Sequence, residues 1–274
     1  MASPTYRTRG IVVRKRALGE ADLVVSLLDE SGAKVAAVAK GARKPASTFS
    51  SRLELFSSVD VLLARGRTLD IVKEARLVRG HGALRCDYEL TLAASVAADA
   101  VDHLAQESLE QQRIFPMTEA LLTVMEGASP ASGAALAAAF LLKALATFGY
   151  RPALDACAAC GAPVALARGD GQNAGGYPGN PFPSAPFSVG EGGVLCPSCA
   201  SQLQAQPVSA LTLANAQTMI ESTFSALAVR PPTPAETVDL LRLANLWMGY
   251  HTGIRLKSLE QLVLGLQRCH GGVL

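Results

Sequence analysis

Residues 10–40 read GIVVRKRALGEADLVVSLLDESGAKVAAVAK. Three short apolar runs, Gly10–Arg16, Leu23–Leu28 and Lys34–Lys40, are spaced by Gly19 and Gly32. Runs of this length, rich in valine and bounded by glycine, read as β-strands joined by tight turns. Leu23–Leu28 is apolar on both faces, as a central strand would be. Downstream, Phe56–Ala64 alternates through Val59, Val61 and Leu63, and Thr68–Val78 makes a fifth run, with Gly41 and Gly66 in the intervening turns. Phe56 reads as core. Five short strands predict a small closed or partly closed barrel, of which the OB-fold is the commonest nucleic-acid-binding example. An SH3-like barrel gives much the same pattern.

The periodicity then changes from two to between three and four. From Leu84 to Glu107 the apolar positions Cys86, Leu90, Ala94, Ala97, Val101 and Leu104 share one helical face. Further helices are expected over Leu109–Glu126 and over Ala131–Gly149, the latter opened by Ser129-Pro130. Others follow over Ser209–Ala228, from Thr233-Pro234 to about Tyr250, and over Ser258–Cys269. The expected fold class is α+β and multidomain. Residues 1–80 form the barrel, 81–150 with 201–274 form a helical domain, and 151–200 form a cysteine-bearing segment. Within it, Gly169–Gly193 (GDGQNAGGYPGNPFPSAPFSVGEGG) is low in complexity and reads as a flexible insertion.

The 274 residues include 25 Lys and Arg against 23 Asp and Glu, a formal net charge of +2. That near-neutral total hides a division. Residues 1–80 carry 15 basic and 8 acidic residues, and the remainder carries 10 and 15. A basic barrel beside an acidic helical body suggests that only the first meets a polyanion. The composition excludes disorder, collagen and a disulfide-dense miniprotein. No signal peptide or spanning segment is read, because the most apolar stretch, Ala134–Leu142, is cut by Lys143. The expectation is a cytoplasmic protein with no membrane partner.

Four of six cysteines form two C-x-x-C pairs, Cys157/Cys160 and Cys196/Cys199. Each pair can place two thiolates on one side of a tight turn, and two such turns facing each other complete a tetrahedral site for zinc. Gly161 suits the knuckle turn after Cys160. The 35 residues between the pairs exceed the usual spacing, and the insertion accounts for the excess. Thiol–disulfide chemistry would want one pair at a helix start after a strand. A zinc deaminase would need an H-x-E partner, and none of His81, His103, His251 or His270 has one. A closed structural zinc site is favoured. Cys86 and Cys269 read as small buried hydrophobes.

Arg7, Arg9, Arg14, Lys15 and Arg16 on the first strand, and Lys34, Lys40, Arg43, Lys44 and Arg52 in and around KGARKPASTFSSR (residues 40–52), make a cluster whose loop has no acid. Such a surface tracks phosphates without reading bases. Phe49 is the best candidate for stacking a base, with Tyr6 another. Asp99 and Asp102 read as a solvated helix face. No Walker A loop, G-x-G-x-x-G, H-E-x-x-H or G-x-S-x-G is present, and no catalytic nucleophile–base pair can be assembled. The chain is not expected to be an enzyme.

At this point a family resemblance is visible. The stretch Gly10–Phe56, and within it G-E-A-D at Gly19–Asp22 and A-V-A-K-G-A-R-K at Ala37–Lys44, resembles the N-terminal domain of the bacterial RecO recombination mediators. Tyr150-Arg151-Pro152, the run Gly192–Cys199, and the ending from Gly249-Tyr250-His251 to Lys257-Ser258 extend the likeness in order along the chain. The resemblance implies an OB-fold, a helical domain and, in many members, a four-cysteine zinc site. It implies binding of single- and double-stranded DNA, annealing of complementary strands, and cooperation with RecR in loading RecA onto DNA coated by single-stranded DNA-binding protein. It also implies a bacterial, nucleoid-associated location and a role in recombinational repair of DNA damage. Carried over, Lys40, Arg43 and Lys44 become the phosphate contacts, with Gly41 letting their loop turn. The C-terminal tail of single-stranded DNA-binding protein would dock on the helical part beside a cation such as Lys143, Arg151 or Arg255. The residues themselves leave two other readings open, an RNA- or ribosome-associated zinc-ribbon protein and a thiol oxidoreductase.

Overall fold

The computed structural model describes residues 4–164, 166 and 184–270. The first five strands, β1 (Thr5–Leu18), β2 (Asp22–Asp29), β3 (Lys34–Ala39), β4 (Ser58–Ala64) and β5 (Asp70–Arg79), close into a barrel in the order β1-β2-β3-β5-β4. A short helix, α1 (Thr48–Arg52), joins β3 to β4. All pairings are antiparallel except β3 with β5. This is the Greek-key order of an OB-fold, and the SH3-like alternative falls away.

β1 is longer than its sequence pattern suggests. Its first half pairs with β4 and its second half with β2, and the register shifts between Val12 and Arg14. The outward residues of the first half are arginines. Arg9 bonds Asp60 at 2.8 Å and Arg7 reaches Glu74 at 3.6 Å, so the alternation there is charged/semi-buried and looks like loop. Val12, Val25, Leu27, Val59, Val61 and Leu63 point inward, and Leu53 seals one end.

The helical body comprises α2 (Gly82–Cys86), α3 (Tyr88–Leu104), α4 (Ile114–Met125), α5 (Pro130–Thr147), α7 (Ala210–Glu221), α8 (Phe224–Val229), α9 (Pro234–Thr252) and α10 (Lys257–His270). α5 is its axis. By length and composition α5 could cross a membrane, yet 72% of it is buried inside the protein, against α3, α7, α8 and α9. Helix starts follow local chemistry. Ser129 accepts the Ser132 N–H before Pro130, and Thr233 and Glu236 form a reciprocal capping box before α9.

Two expected helices are each divided. Asp87 takes an extended conformation and accepts the Leu90 N–H at 2.9 Å, ending α2 and starting α3. Thr223 does the same for α8 after the extended Ser222. In both places a short polar side chain outcompetes the helical hydrogen bond it interrupts. Cys86 is also not buried as expected. It ends α2 on the exposed side, because the turn at Asp87 rotates it off the α3 face. The side chain of Cys269 lies outside the described residues.

The insertion reading needs partial correction. Residues 169–183 lie outside the described residues, but Ser184–Ser188 is a strand, β6. It pairs with β7 (Gly193–Val194) and β8 (Gln206–Ser209). Phe187 is fully buried, its ring 5.5 Å from that of Trp247 on α9. The short helix α6 (Pro197–Ala200) follows β7.

Barrel and body meet along α3. Ile11, Val13 and Leu28, on the outside of β1 and β2, belong to the helical core. At the edge of this contact Asp102 is buried, which overturns its reading as a solvated residue. Arg14 donates to its carboxylate at 2.9 Å, while the Lys34 ammonium lies 3.9 Å from the carboxylate and donates to the Asp102 carbonyl at 2.5 Å. A charge this far from water is held only by such partners. Since both cations keep access to solvent, Asp102→Ala is expected to cost about 2 kcal/mol, less than a fully buried pair. That should lower the thermal midpoint by about 4–8 °C, and an unchanged melting curve would show that the pair does not hold the junction.

Candidate functional site: a basic barrel end and a four-cysteine cluster

The β3–α1 loop is fastened to the β1–β2 turn. The Asp22 carboxylate accepts the Gly41 N–H at 2.7 Å, the Arg43 N–H donates to the Ala21 carbonyl, and the Arg43 guanidinium donates to the Gly19 carbonyl, both at 2.8 Å. Gly41 has φ 66°, a left-handed turn that a side chain would strain. The consequence is a preformed loop that holds Lys40, Arg43 and Lys44 exposed, with no carboxylate partner among the described residues. Arg16, also exposed, stands on β1 close to the same turn, opposite Val24. Arg52 ends α1 and donates to the Ala75 carbonyl at 2.9 Å, leaving its charge unneutralised.

Three expected contacts are placed differently. Arg14 and Lys34 face Asp102, so much of their charge is already neutralised. Phe49 is half-buried and packs on the barrel core, because α1 has to close the barrel end with its apolar side. It serves as a plug more than as a free stacking surface. One residue that sequence reasoning missed joins the group. The parallel register pairs Ala37 with Asp70 and Val38 with Ile71. β5 therefore runs beside the strand that leads to Lys40, and it carries the exposed Lys73 two residues past the last of these pairs. No local signal could reveal this, since parallel neighbours are chosen by topology across 33 residues of chain.

The cysteines come together through backbone. The Ala153 N–H donates to the Gly192 carbonyl, the Val194 N–H to the Ala153 carbonyl, and the Ala158 N–H to the Val194 carbonyl, at 2.8–2.9 Å. These bonds lay the first knuckle along the second. Gly193 is required in this arrangement, because a Cβ there would stand 2.1 Å from the Ala153 carbonyl oxygen. The Sγ atoms of Cys157, Cys160, Cys196 and Cys199 lie within 4.8 Å of one another, with Cys160 and Cys196 3.8 Å apart. Tetrahedral thiolates about 2.3 Å from a zinc ion would be about 3.8 Å apart, so the donor set fits a closed four-thiolate site. The electrostatics agree. Backbone N–H groups, that of Cys196 foremost, lower the Cys157 thiol to about 6. Cys199, crowded by Cys196 and Cys160, is pushed up to about 12. Four neighbouring thiols cannot all ionise unless a cation sits among them. Cys157 is buried and the others are partly or fully exposed.

The helical body offers a third feature. An open apolar groove of about 510 Å³ is lined by Tyr88, Leu92, Pro130, Thr237, Leu262 and Arg268, among others. The Thr237 hydroxyl in its lining is buried without a hydrogen-bond partner among the described residues. Of the cations expected to serve a docking pocket, Lys143 is occupied by the Ile220 carbonyl at 2.7 Å and Arg151 pairs with Glu221 at 3.7 Å. Arg255 is exposed and sits outside the groove.

Comparison with known proteins now bears on this arrangement. Residues 1–81 match the family model "Recombination protein O N terminal", and residues 85–260 match "Recombination protein O C terminal". The chain belongs to the RecO family. It is 38% identical over 198 residues to a DNA repair protein RecO of Frankia casuarinae, covering 72% of this chain and 74% of that protein. It is 36% identical over 203 residues to the one of Cutibacterium acnes, with the same coverage of each. It is 34% identical over 252 residues to one from Anaeromyxobacter dehalogenans, covering 91% of this chain and 92% of that one. The two family segments meet at residues 82–84, close to the barrel–body boundary seen in the fold. The segments matched in this RecO-family chain therefore span both the basic barrel end and the cysteine cluster.

Proposed function

We propose that this protein is a DNA-binding mediator of recombinational repair. It binds single- and double-stranded DNA through the barrel end, anneals complementary strands and, with RecR, promotes RecA loading onto DNA coated by single-stranded DNA-binding protein. It acts in the cytoplasm, at the nucleoid, and works by binding, without substrate turnover. The observation that carries this reading is the preformed loop of Lys40, Arg43 and Lys44, flanked by Arg16 and Arg52, whose three cations have no carboxylate partner among the described residues. Such a surface neutralises phosphates on two strands at once and lowers the repulsion between them. RNA would meet the same cations, so titration of matched RNA and DNA strands separates the ribosomal reading from this one.

The four thiolates hold zinc in a structural role. All four positions of the tetrahedron are taken by protein, which leaves no open site for chemistry. The acidic tail of single-stranded DNA-binding protein finds an apolar bed in the groove beside Tyr88 and Leu262. Arg268 at its rim meets the tail's carboxylates.

The test is annealing of complementary oligonucleotides with the intact protein, before and after chelation. The expected result is annealing faster than the spontaneous rate, suppressed by salt. A rate equal to that of the oligonucleotides alone would overturn the proposal.

A further inference from the structure

An open cavity of about 500 Å³ lies at the opposite end of β3 from the basic loop, where the β4–β5 loop meets the β2–β3 turn and the α3–α4 connection. The β4–β5 loop is held rigid. Asp70 accepts the Gly66 N–H at 3.0 Å through one oxygen and the Tyr6 hydroxyl through the other. Arg65 lies 4.8 Å above the Tyr6 ring. Neither Arg65 nor Arg67 has a carboxylate partner among the described residues, and both are exposed. Across the cavity stand Glu107 and Glu110, which have no hydrogen-bond or ion-pair partner among the described residues. Asp29, also on the wall, takes the Ser31 and Ala33 N–H groups and the Ser31 hydroxyl on one of its oxygens.

The lining therefore offers Arg65 and Arg67 to an anion on one side, and Glu107 and Glu110 to N–H donors on the other. A bare phosphate would be repelled by the glutamates and an apolar ligand would leave every group unpaired. A nucleotide answers both, with phosphate for Arg65 and Arg67 and base N–H groups for Glu107 and Glu110. The volume lies within the range of ordinary ligand pockets. Position adds a second argument. Ala36 lines the cavity and Lys40 lies four residues further, just past the end of β3, about 13 Å on at a strand's rise per residue. That is about two nucleotide steps of an extended strand, so one backbone can touch both places.

We infer that this cavity receives one unpaired nucleotide of a DNA strand whose neighbouring phosphates lie on Lys40 and Lys44. The inference rests on the DNA reading above and adds to it a means of telling single strands from duplex. A paired base cannot leave its partner to enter, so the cavity contributes only to single-strand binding.

The test compares four full-length proteins on a single-stranded oligonucleotide and on its duplex: wild type, Arg65→Ala/Arg67→Ala, Ala36→Leu, and Lys40→Glu/Arg43→Glu/Lys44→Glu. Removing both arginines, which share one phosphate, should weaken single-strand binding about fourfold at 0.15 M salt and flatten its salt slope by about 0.7. Duplex affinity should stay within about twofold. Ala36→Leu changes no charge. It should weaken single-strand binding about fivefold by blocking base entry, with the salt slope unchanged. Equal loss on both substrates, or no loss in either variant, overturns the inference. So does displacement of the strand by micromolar free deoxynucleoside monophosphate, which would make a soluble nucleotide the occupant. If the wild type binds neither substrate, the DNA reading itself falls. If only the triple variant loses binding, the DNA reading stands and the cavity assignment alone is wrong.

Discussion

Replacing Lys40, Arg43 and Lys44 together by glutamate is expected to weaken duplex binding about 10²-fold at 0.15 M salt, whatever the sequence. Each phosphate contact releases close to one counterion, which at that salt is worth about 0.7 of a decade. Three contacts give about two decades, and the slope of log affinity against log salt should become less steep by about 2.7. The fold should survive. All three side chains are exposed, and only Arg43 bonds the rest of the protein, at the Gly19 carbonyl. That bond is worth about 1 kcal/mol. The loop is held by backbone bonds from Gly41 and Arg43, which the substitutions keep. Filter binding or fluorescence anisotropy over a salt series measures the effect. An unchanged slope in a variant that melts like the wild type would remove these residues from the DNA contact.

Loss of the metal should have the second large effect, on the body and not on DNA binding. Cys199→Ser is expected to abolish stoichiometric zinc and to cost at least about 3 kcal/mol. Structural zinc sites contribute more than this when they organise a segment with little core of its own. The thermal midpoint should fall by about 6–12 °C. Trp247 is the only tryptophan of the chain, and it packs on Phe187 of the strand that leads to the second cysteine pair. Its emission should shift to the red as that packing loosens. The cysteines sit in the acidic body, away from the basic loop, so affinity for an oligonucleotide should change less than about threefold, below the effect of one lost phosphate contact. A variant that retains one zinc per chain with an unaltered midpoint would exclude Cys199 as a ligand.

These two expectations draw on features that differ in how plainly the sequence displays them. The cysteine pairs are visible because each C-x-x-C is a local unit. Gly161 then supplies the turn after the first, at φ 75°. Their closure into one cluster depends on the backbone bonds between residues 153–158 and 192–194, which no spacing rule contains. The basic loop is likewise visible as a run without acids, but its membership is not. Arg14 and Lys34 look as free as Lys40 in the sequence. Asp102, distant in the chain, claims both. Lys73 looks like an ordinary strand residue until the parallel pairing of β3 with β5 puts its strand beside the one that leads to Lys40.

The sequence by itself determined what short-range physics controls. Alternating valines and leucines placed the five strands, glycines placed the turns, and Ser129-Pro130 and Thr233-Pro234 opened two helices. The two knuckles and the division of charge near residue 80 were also legible. Each depends on conformational preference or burial within a few residues of chain. Tertiary structure alone decided which cations stay free, which carboxylate is buried, where Phe49 points, and how the open cavity beside Arg65 and Arg67 is assembled. Those outcomes depend on competition between groups far apart in sequence, and the winner is set by the packing of α3 against β1 and β2. The net charge of the barrel could therefore be counted from the sequence, whereas the part of it available to a phosphate could be seen only in the fold.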